Sequence, residues 1–218
     1  MPATLSYFPI NMSTERRVPE KPQELLKNIT RIVSGVGENE NTTTTDSVPF
    51  HDTGLWGATT ALLWRTSETP SNDSNTDKDF DGARRSGDRM GGFVSSNGTN
   101  FIMQDLAPGA EIPLHRSNTI DYIIMSTCNN SLSIHEFAHL GDELNFGTTV
   151  SGEMISTGPR NDEDFRLKAG DVLVRKASAH GYKNPGPKWA RYAVVILDAQ
   201  PVVVDGEIVP EETPQFNA

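Results

Sequence analysis

The sequence predicts an all-β protein in which many short strands form a sandwich or barrel. Between residues 99 and 204, short runs rich in β-branched and aromatic residues follow one another closely. Turn-forming pairs such as Pro108-Gly109, Asn129-Asn130 and Asp205-Gly206 separate these runs. The strands do not alternate with helix-sized segments, which excludes the parallel nucleotide-binding folds. This spacing is typical of a closed or two-layered antiparallel architecture.

The first 50 residues are interpreted as an N-terminal arm that contains a short helix. Residues 1–20 have three prolines and little periodicity, which indicates an extended chain. Pro22–Val33 places its leucine and isoleucine residues at helical spacing, although its β-branched end could instead feed a strand. Gly35–Ser47 contains four consecutive threonines and is predicted to be a polar loop.

The barrel is predicted to occupy residues 51–210, with a tail at 211–218. Its first strand is Leu55–Arg65. The insert at 67–90, rich in Ser, Asn, Asp, Gly and Arg, cannot bury enough apolar surface to order itself, so we expect a disordered segment or a surface loop. The other predicted strands are Thr99–Leu106, Glu111–His115, Thr119–Ser126, Ser131–Phe137, Thr148–Ser156, Asp164–Leu167, Asp171–Arg175, Gly181–Lys183, Tyr192–Asp198 and Val202–Val204.

The run Gly109–Asp121 places polar side chains on one strand face just after a glycine turn. His115 and Ser117 share a face because side chains alternate along a strand. Asp121 follows on that face if the turn at Asn118 preserves the phase. An alternative is that His115 and Asp121 form a buried hydrogen-bonded pair that only fixes a bend.

The run Gly170–Asn184 supplies a second polar set, because His180, Tyr182 and Asn184 also share a strand face. A polar cluster inside a barrel requires a ligand or mutual hydrogen bonds. Imidazole and carboxylate groups can transfer protons near neutral pH. The catalytic groups are therefore predicted to be His115, Asp121, His180 and Tyr182.

Substrate-binding groups are predicted beside these residues. Arg116, Arg175 and Lys176 flank the pocket and could bind a substrate carboxylate, although we expect at least two of the three to be solvated on the strand exterior. Trp189 is expected in the core or the pocket wall. The candidate substrate-binding residues are Arg116, Ser117, Asn184 and Trp189.

The first run resembles the first motif of the cupin superfamily, in which glycine, five residues, His-x-His and a glutamate follow in order. Gly109 and His115 match this motif. Ser117 stands in place of the second histidine, and Asp121 replaces the glutamate.

The second run is similar to the second cupin motif through Gly170, His180 and Asn184. The resemblance covers residues 54–66 and 98–208, and the chain looks most like the small single-domain cupins of secondary metabolism. It implies a double-stranded β-helix, also called a jelly-roll barrel. It specifies the fold more closely than the reaction, because one scaffold serves many chemistries.

The resemblance also implies a possible metal site. His115, Asp121 and His180 would form a two-histidine, one-carboxylate set that suits Fe(II), Mn(II) or Zn(II). Loss of the second histidine to Ser117 fits equally well with metal-free use. Without a metal, no cofactor is expected.

The segment His135–His139 matches the H-E-x-x-H pattern of zinc proteases. In those proteases both histidines lie one turn apart on a helix. Here Ser131–Phe137 alternates like a strand, on which the two histidines would be about 13 Å apart. We therefore interpret them as surface or rim residues.

Composition limits the partners of the chain. The formal charge of −10 over 218 residues disfavours nucleic acid and anionic membranes. We expect no membrane span and no signal peptide, and the single Cys128 fits a reducing compartment. A cytoplasmic location and a small-molecule substrate are the resulting expectations.

The resemblance implies a tailoring enzyme of secondary metabolism that acts on an aromatic or polyketide-like substrate. A lyase, either a decarboxylase or a dehydratase, is the first hypothesis, because a carboxylate and two imidazoles can stabilise and protonate an enolate. The alternatives are an isomerase or cyclase, an Fe(II) dioxygenase, and a non-catalytic cupin that binds a small ligand. Related barrels pair as homodimers, and the arm before Pro22 offers an edge for strand exchange.

Overall fold

Every regular element that the computed structural model describes is a β-strand. The structure describes residues 28–36, 41–55, 57–72, 92–126, 150–151, 153–160 and 164–212. Within these ranges no helix has the length and apolarity that a membrane crossing requires. The strands are β1 (Ile29–Val36), β2 (Asn41–Val48), β3 (His51–Leu55), β4 (Ala58–Arg65), β5 (Thr99–Leu106), β6 (Glu111–His115), β7 (Thr119–Met125), β8 (Val150–Ser151), β9 (Glu153–Thr157), β10 (Phe165–Lys168), β11 (Val172–Lys176), β12 (His180–Lys183), β13 (Trp189–Asp198), β14 (Val203–Val204) and β15 (Glu207–Ile208).

Two sheets enclose the main core. The seven-stranded sheet has the order β11-β7-β13-β5-β4-β3, with β8 pairing in parallel to β13, and the four-stranded sheet has the order β10-β9-β12-β6. One cluster of buried side chains draws on both sheets, including Ile102 and Tyr192 from the larger sheet and Met154 and Tyr182 from the smaller one. The predicted all-β, cupin-like barrel is therefore confirmed.

Strand alternation decides which side chains reach this core. Along β7, residues 119, 121, 123 and 125 are buried, whereas Tyr122 and Ile124 on the opposite face are exposed. The buried positions of β7 include polar Thr119 and Asp121 as well as Ile123 and Met125. The same alternation that builds the core thus places a carboxyl group inside the barrel.

Glycine turns begin both of the histidine-containing runs, Gly109–Asp121 and Gly170–Asn184. Gly109 and Gly170 have φ angles of 71° and 89°, which residues with a β-carbon rarely adopt. The amide of Gly109 donates to the carbonyl oxygen of Asn184 at 2.9 Å, and that of Gly170 donates to Met125 at 3.1 Å. Each turn is thereby tied to another part of the barrel.

The N-terminal region differs from the prediction. Ile29–Val33 belongs to β1 instead of a helix, and the four threonines predicted as loop lie in β2. The two strands pair over their full lengths, from Ile29 opposite Val48 to Val36 opposite Asn41. Their β-branched residues favour this extended pairing over the helical spacing.

This β1–β2 hairpin packs on the outer face of the larger sheet. Val48 packs with Ala61 and Leu63 in a second apolar cluster. Arg31 pairs with Asp46 on the neighbouring strand, and its Nη1 donates to the carbonyl oxygen of Leu63 at 2.7 Å. The hairpin therefore covers the outer face of the sheet at β4.

The remaining strand predictions agree with the structure apart from their ends. The predicted single strand Thr148–Ser156 is two strands, β8 and β9, which belong to different sheets. Ser67–Asn72 at the start of the predicted insert is exposed. Residues 73–91, together with the predicted strand Ser131–Phe137, lie outside the described residues.

The buried cluster predicts a clear stability difference between inner and outer positions. Ile102→Ala should lower the free energy of unfolding by about 2–5 kcal/mol, because Ile102 is buried and its loss leaves a cavity. Val203→Ala at an exposed position should change it by less than about 0.5 kcal/mol. Urea denaturation measures both values, and equal losses would contradict the described core.

Candidate functional site

Two histidines from the two glycine-led runs lie side by side in the barrel. His115 on β6 and His180 on β12 are direct cross-strand partners. Their ring centroids are 4.3 Å apart, and the rings are tilted by 53°. His180 is buried and His115 is half-buried. The predicted convergence of these two imidazoles is therefore what the structure shows.

A β-bulge aims His115 at the interior. Tyr182, two residues beyond His180, pairs with Ile112, three residues before His115, so β6 contains one extra residue. In a regular strand Ile112 and His115 would face opposite sides. The bulge lets Ile112 join the core while His115 meets His180. Pro113 lies in this irregular stretch of the end strand, where a missing amide hydrogen is tolerated.

Backbone carbonyl groups fix both imidazole rings. Nδ1 of His115 lies 3.0 Å from the carbonyl oxygen of Pro113, and Nδ1 of His180 lies 2.8 Å from that of Ser178. A carbonyl oxygen only accepts hydrogen bonds, so each Nδ1 carries the proton. Each Nε2 is then left with a free lone pair, which is the form that accepts a proton.

Burial keeps both imidazoles neutral. Removal from water lowers the pKa of His115, Arg175 lowers it further, and the carbonyl group of Pro113 opposes the shift. The pKa of His180 lies well below its ordinary value because of burial first, and then because of His115 and Arg175. Two neutral bases therefore lie in contact within a positive electrostatic field.

Arg175 on β11 completes the group from the opposite sheet. Its Nη1 donates to Ser178 Oγ at 3.2 Å, and its Nη2 donates to Ser156 Oγ. The guanidinium carbon lies 5.7 Å from the ring centroid of Tyr182. Arg175 is only 7% exposed, so little water screens its charge from the neighbouring groups.

Asp121 faces Arg175 across the β7–β11 pairing. The two residues are direct cross-strand partners, but they form no close ion pair among the contacts that the structure describes. Thr119 hydrogen bonds to the carboxylate, and Ser117 Oγ lies 2.8 Å from Thr119 Oγ1. Burial raises the pKa of Asp121, while Thr119 and Arg175 oppose the shift.

Tyr182 lies between the histidines and the rest of the core. Its ring meets that of His180 edge-on, with the centroids 5.3 Å apart. Burial raises the pKa of the Tyr182 phenol well above its ordinary value, despite the opposing charge of Arg175. Tyr182 therefore remains a hydrogen-bond donor at neutral pH and does not serve as a base.

Comparisons with known proteins agree with this architecture. A cupin-domain-containing oxidoreductase of Aspergillus ruber is 25% identical over 94% of this chain and 88% of its own length. Another from Neurospora crassa is 31% identical over 65% of this chain and 59% of its own. The chain is thus similar in sequence to cupin-domain proteins.

Other relatives of this chain are named for biosynthesis clusters. The oryzines biosynthesis cluster protein J of Aspergillus oryzae is 29% identical over 55% of the chain. The match spans about half the length of this relative and of the phomopsin cluster relatives. The polyketide cyclase RemF of Streptomyces resistomycificus is 12% identical, with a TM-score of 0.41 over 78% of this chain and 82% of its own. No family model matches the chain.

Three predicted substrate-binding residues lie in other surroundings. The Asn184 amide nitrogen donates to the carbonyl oxygens of Leu106 and Lys188, and its oxygen accepts from the Gly186 amide, so this side chain holds a turn together. Trp189 is a member of the buried core. Arg116 donates from Nη2 to the carbonyl oxygen of Val209 in the C-terminal segment at 2.6 Å. None of these described contacts joins the imidazole pair.

The basic residues are more buried than the sequence predicts. At least two of Arg116, Arg175 and Lys176 were expected to be solvated, but both arginines are buried and only Lys176 is exposed. The cause is the register of β11, whose Arg175 points inward beside Asp121 while Val172 and Val174 point outward. The H-E-x-x-H segment lies outside the described residues.

The donor set among the described residues does not fit a divalent metal. Within the residues that the structure describes, no three histidine, cysteine, aspartate or glutamate side chains are grouped to hold one. Asp121 lies on β7 of the larger sheet, opposite Arg175, whereas both histidines lie on strands of the smaller sheet. The Arg175 charge lowers the pKa of both imidazoles and would equally oppose a cation at their Nε2 atoms.

Gly181 controls the close approach of the strands around the histidine pair. A β-carbon at this position would lie 2.5 Å from the Ile112 carbonyl oxygen and 2.7 Å from Thr157 Oγ1. Gly181→Ala should therefore lower the free energy of unfolding by about 1–3 kcal/mol and displace His180. The control Lys183→Ala, at the half-buried end of the same strand, should cost less than about 1 kcal/mol. Chemical denaturation that shows equal effects would contradict this packing.

The lowered histidine pKa values predict acid sensitivity. At pH values below the ordinary histidine pKa of 6.5, His115 and His180 bind protons in the unfolded chain, whereas the buried imidazoles of the folded chain remain neutral. The free energy of unfolding should therefore fall as the pH drops from 6.5 towards the lowered pKa values, by about 1.4 kcal/mol for each unit of pKa depression. His180→Gln should flatten this dependence, whereas the control His51→Gln should retain it. Denaturation at several pH values measures the slope, and an unchanged slope in His180→Gln would refute the assignment.

Proposed function

We propose that this protein is a cupin-like tailoring enzyme of secondary metabolism, of lyase type, that removes water from a carbonyl-containing substrate by acid–base catalysis. The observation that carries the proposal is the pair of neutral, carbonyl-anchored imidazoles with ring centroids 4.3 Å apart. The names of the biosynthesis-cluster relatives support the metabolic setting. Aromatic and polyketide-like compounds are the substrate types that we expect.

The neutral state of the histidines favours a reaction that begins with a base. One Nε2 removes a proton from the carbon next to the substrate carbonyl, and the electron pair moves onto the carbonyl oxygen. The resulting imidazolium returns this proton to a hydroxyl group at the next carbon, which leaves as water while the double bond forms. Decarboxylation of an aromatic acid begins with protonation of the ring carbon, so it is the less suitable lyase reaction for a site with two neutral bases.

Two relatives carry the name oxidoreductase, which supports a second candidate function. An oxidation would require a redox partner in addition to the imidazoles and Arg175. Because the described donor set does not fit a divalent metal, we propose metal-independent proton transfer as the primary activity. An isomerase or cyclase would use the same initial proton abstraction and would differ only in the fate of the enolate.

The proposal predicts turnover without metal or oxygen. The substrate is the compound that accumulates when the producing organism lacks this gene, and the purified protein should convert it with loss of water. Conversion should continue at an unchanged rate after treatment with a chelator and under anaerobic conditions. Loss of conversion under either condition, or consumption of oxygen during turnover, would favour the oxidoreductase.

The histidines themselves are tested by conservative substitution. His115→Gln and His180→Gln should each lower kcat by about 10²–10⁴-fold, because each removes a proton-transfer group. The control Lys176→Gln changes an exposed residue and should leave kcat unchanged. Exchange of the substrate α-hydrogen with deuterated solvent should fall in parallel in the histidine variants. Full exchange in both variants would refute their role as bases.

A cytoplasmic location and a homodimer are further proposals. At β7 and β11 the outer face of the larger sheet carries exposed apolar residues on neighbouring strands, with Val172 opposite Ile124 and Val174 opposite Tyr122. The chain's own β1–β2 hairpin covers this outer face at β4, and we propose that a second copy of the chain covers it at β7 and β11.

The proposed dimer makes a direct prediction for this face. Val174→Lys should shift the protein towards monomer, because a charge would be buried without a partner. Sedimentation at micromolar concentration measures the change, with Lys168→Gln as an exposed control. A wild-type protein that is already monomeric would end the proposal.

A further inference from the structure

Arg175 has a donor that the described residues leave unused. The guanidinium donates from Nη1 to Ser178 and from Nη2 to Ser156, and it also hydrogen bonds to the Tyr182 hydroxyl. Its Nε is buried and has no hydrogen-bond partner within the described part of the chain. A buried charged donor without a partner is costly, so some group is expected to accept this hydrogen bond.

Asp121 has a matching unused acceptor. Thr119 hydrogen bonds to its carboxylate, but Oδ1 is buried and unpartnered within the same described ranges. Asp121 and Arg175 are direct cross-strand partners on β7 and β11, and both side chains are more than nine-tenths buried. A free donor and a free acceptor thus lie on neighbouring strands at the wall that faces the histidine pair.

We propose that Arg175 is the anion-binding residue of this site and that it receives a carboxylate or enolate oxygen of the substrate on Nε. Asp121 Oδ1 then accepts a hydrogen bond from a hydroxyl group of the same molecule. The ligand class is therefore a hydroxylated acid or an enolisable hydroxy-carbonyl compound. This inference rests on the proposed function in one respect, which is that the same pocket holds the substrate.

The charges around Arg175 favour an anion over a cation. Both neighbouring imidazoles have lowered pKa values and are neutral, so they do not compete for the anion with charges of their own. Asp121 does not neutralise the guanidinium through a close ion pair in the described contacts. In the proposed reaction, Arg175 would stabilise the negative charge that develops on the carbonyl oxygen when the proton moves to Nε2.

Binding without turnover tests the inference separately from the reaction. Calorimetry with salicylate, benzoate and salicylamide compares ligands that have both groups, only the carboxylate, or a neutral amide in its place. Wild-type protein should bind salicylate most tightly, benzoate more weakly, and salicylamide at least about tenfold more weakly than salicylate. Equal binding of salicylate and salicylamide, or no binding of either carboxylate at millimolar concentration, would overturn the proposal.

Substitutions measure how much each residue contributes to salicylate binding. Arg175→Gln should weaken salicylate binding by about 10–100-fold and leave salicylamide binding nearly unchanged. Arg175→Lys, which retains the charge, should recover part of the loss. Asp121→Asn should reduce the preference for salicylate over benzoate. Lys176→Gln, the exposed neighbour, should bind as wild type does.

The outcomes separate this inference from the proposed function. Unchanged salicylate binding in a folded Arg175→Gln or Arg175→Lys protein would mean that a bridging water alone satisfies Nε, which overturns the anion-binding role. Full turnover in the histidine variants would refute the acid–base reaction while leaving the binding result intact. If Arg175→Gln does not fold, binding of the three ligands to wild-type protein and to Arg175→Lys still tests whether Arg175 binds the anion.

Discussion

Removal of two imidazoles from water is the constraint on which the proposed chemistry of this protein depends. The β6–β12 pairing places His115 and His180 in contact, and the bulge after Ile112 makes this compatible with a filled core. Burial favours the neutral form of each ring, and the carbonyl groups of Pro113 and Ser178 fix the tautomer. Backbone geometry therefore determines both the direction and the protonation state of the proposed bases.

The charge of Arg175 determines which kind of ligand can bind beside the two histidines. A buried guanidinium lowers the proton affinity of both imidazoles and disfavours a second cation nearby. It can instead hold an anion or stabilise an oxyanion as it forms. Ser117, which stands in place of a motif histidine, hydrogen bonds with Thr119, and Thr119 in turn hydrogen bonds to Asp121. These contacts are the basis of the proposed metal-independent, anion-binding site.

The sequence predicted the local patterns better than the inter-strand pairing. Thr99–Leu106 has a strong β-branched and aromatic pattern, and its predicted ends match β5. The glycine-led runs identified His115 and His180, because a turn followed by a strand constrains position strongly. The inward direction of Arg175 was missed because it depends on the β7–β11 register, and the two valines beside it resemble a core face. Asn184 was misplaced because β12 ends at Lys183, beyond which strand alternation no longer applies.

The central claim is that two neutral imidazoles, each with its proton on Nδ1, form the reactive group. Nuclear magnetic resonance of isotope-labelled histidine reports both the tautomer and the titration of each ring. The account predicts that His115 and His180 are neutral Nδ1-H tautomers at pH 7 and that both titrate below the ordinary pKa of 6.5. A spectrum at pH 7 in which either ring is protonated, or carries its proton on Nε2, would contradict it.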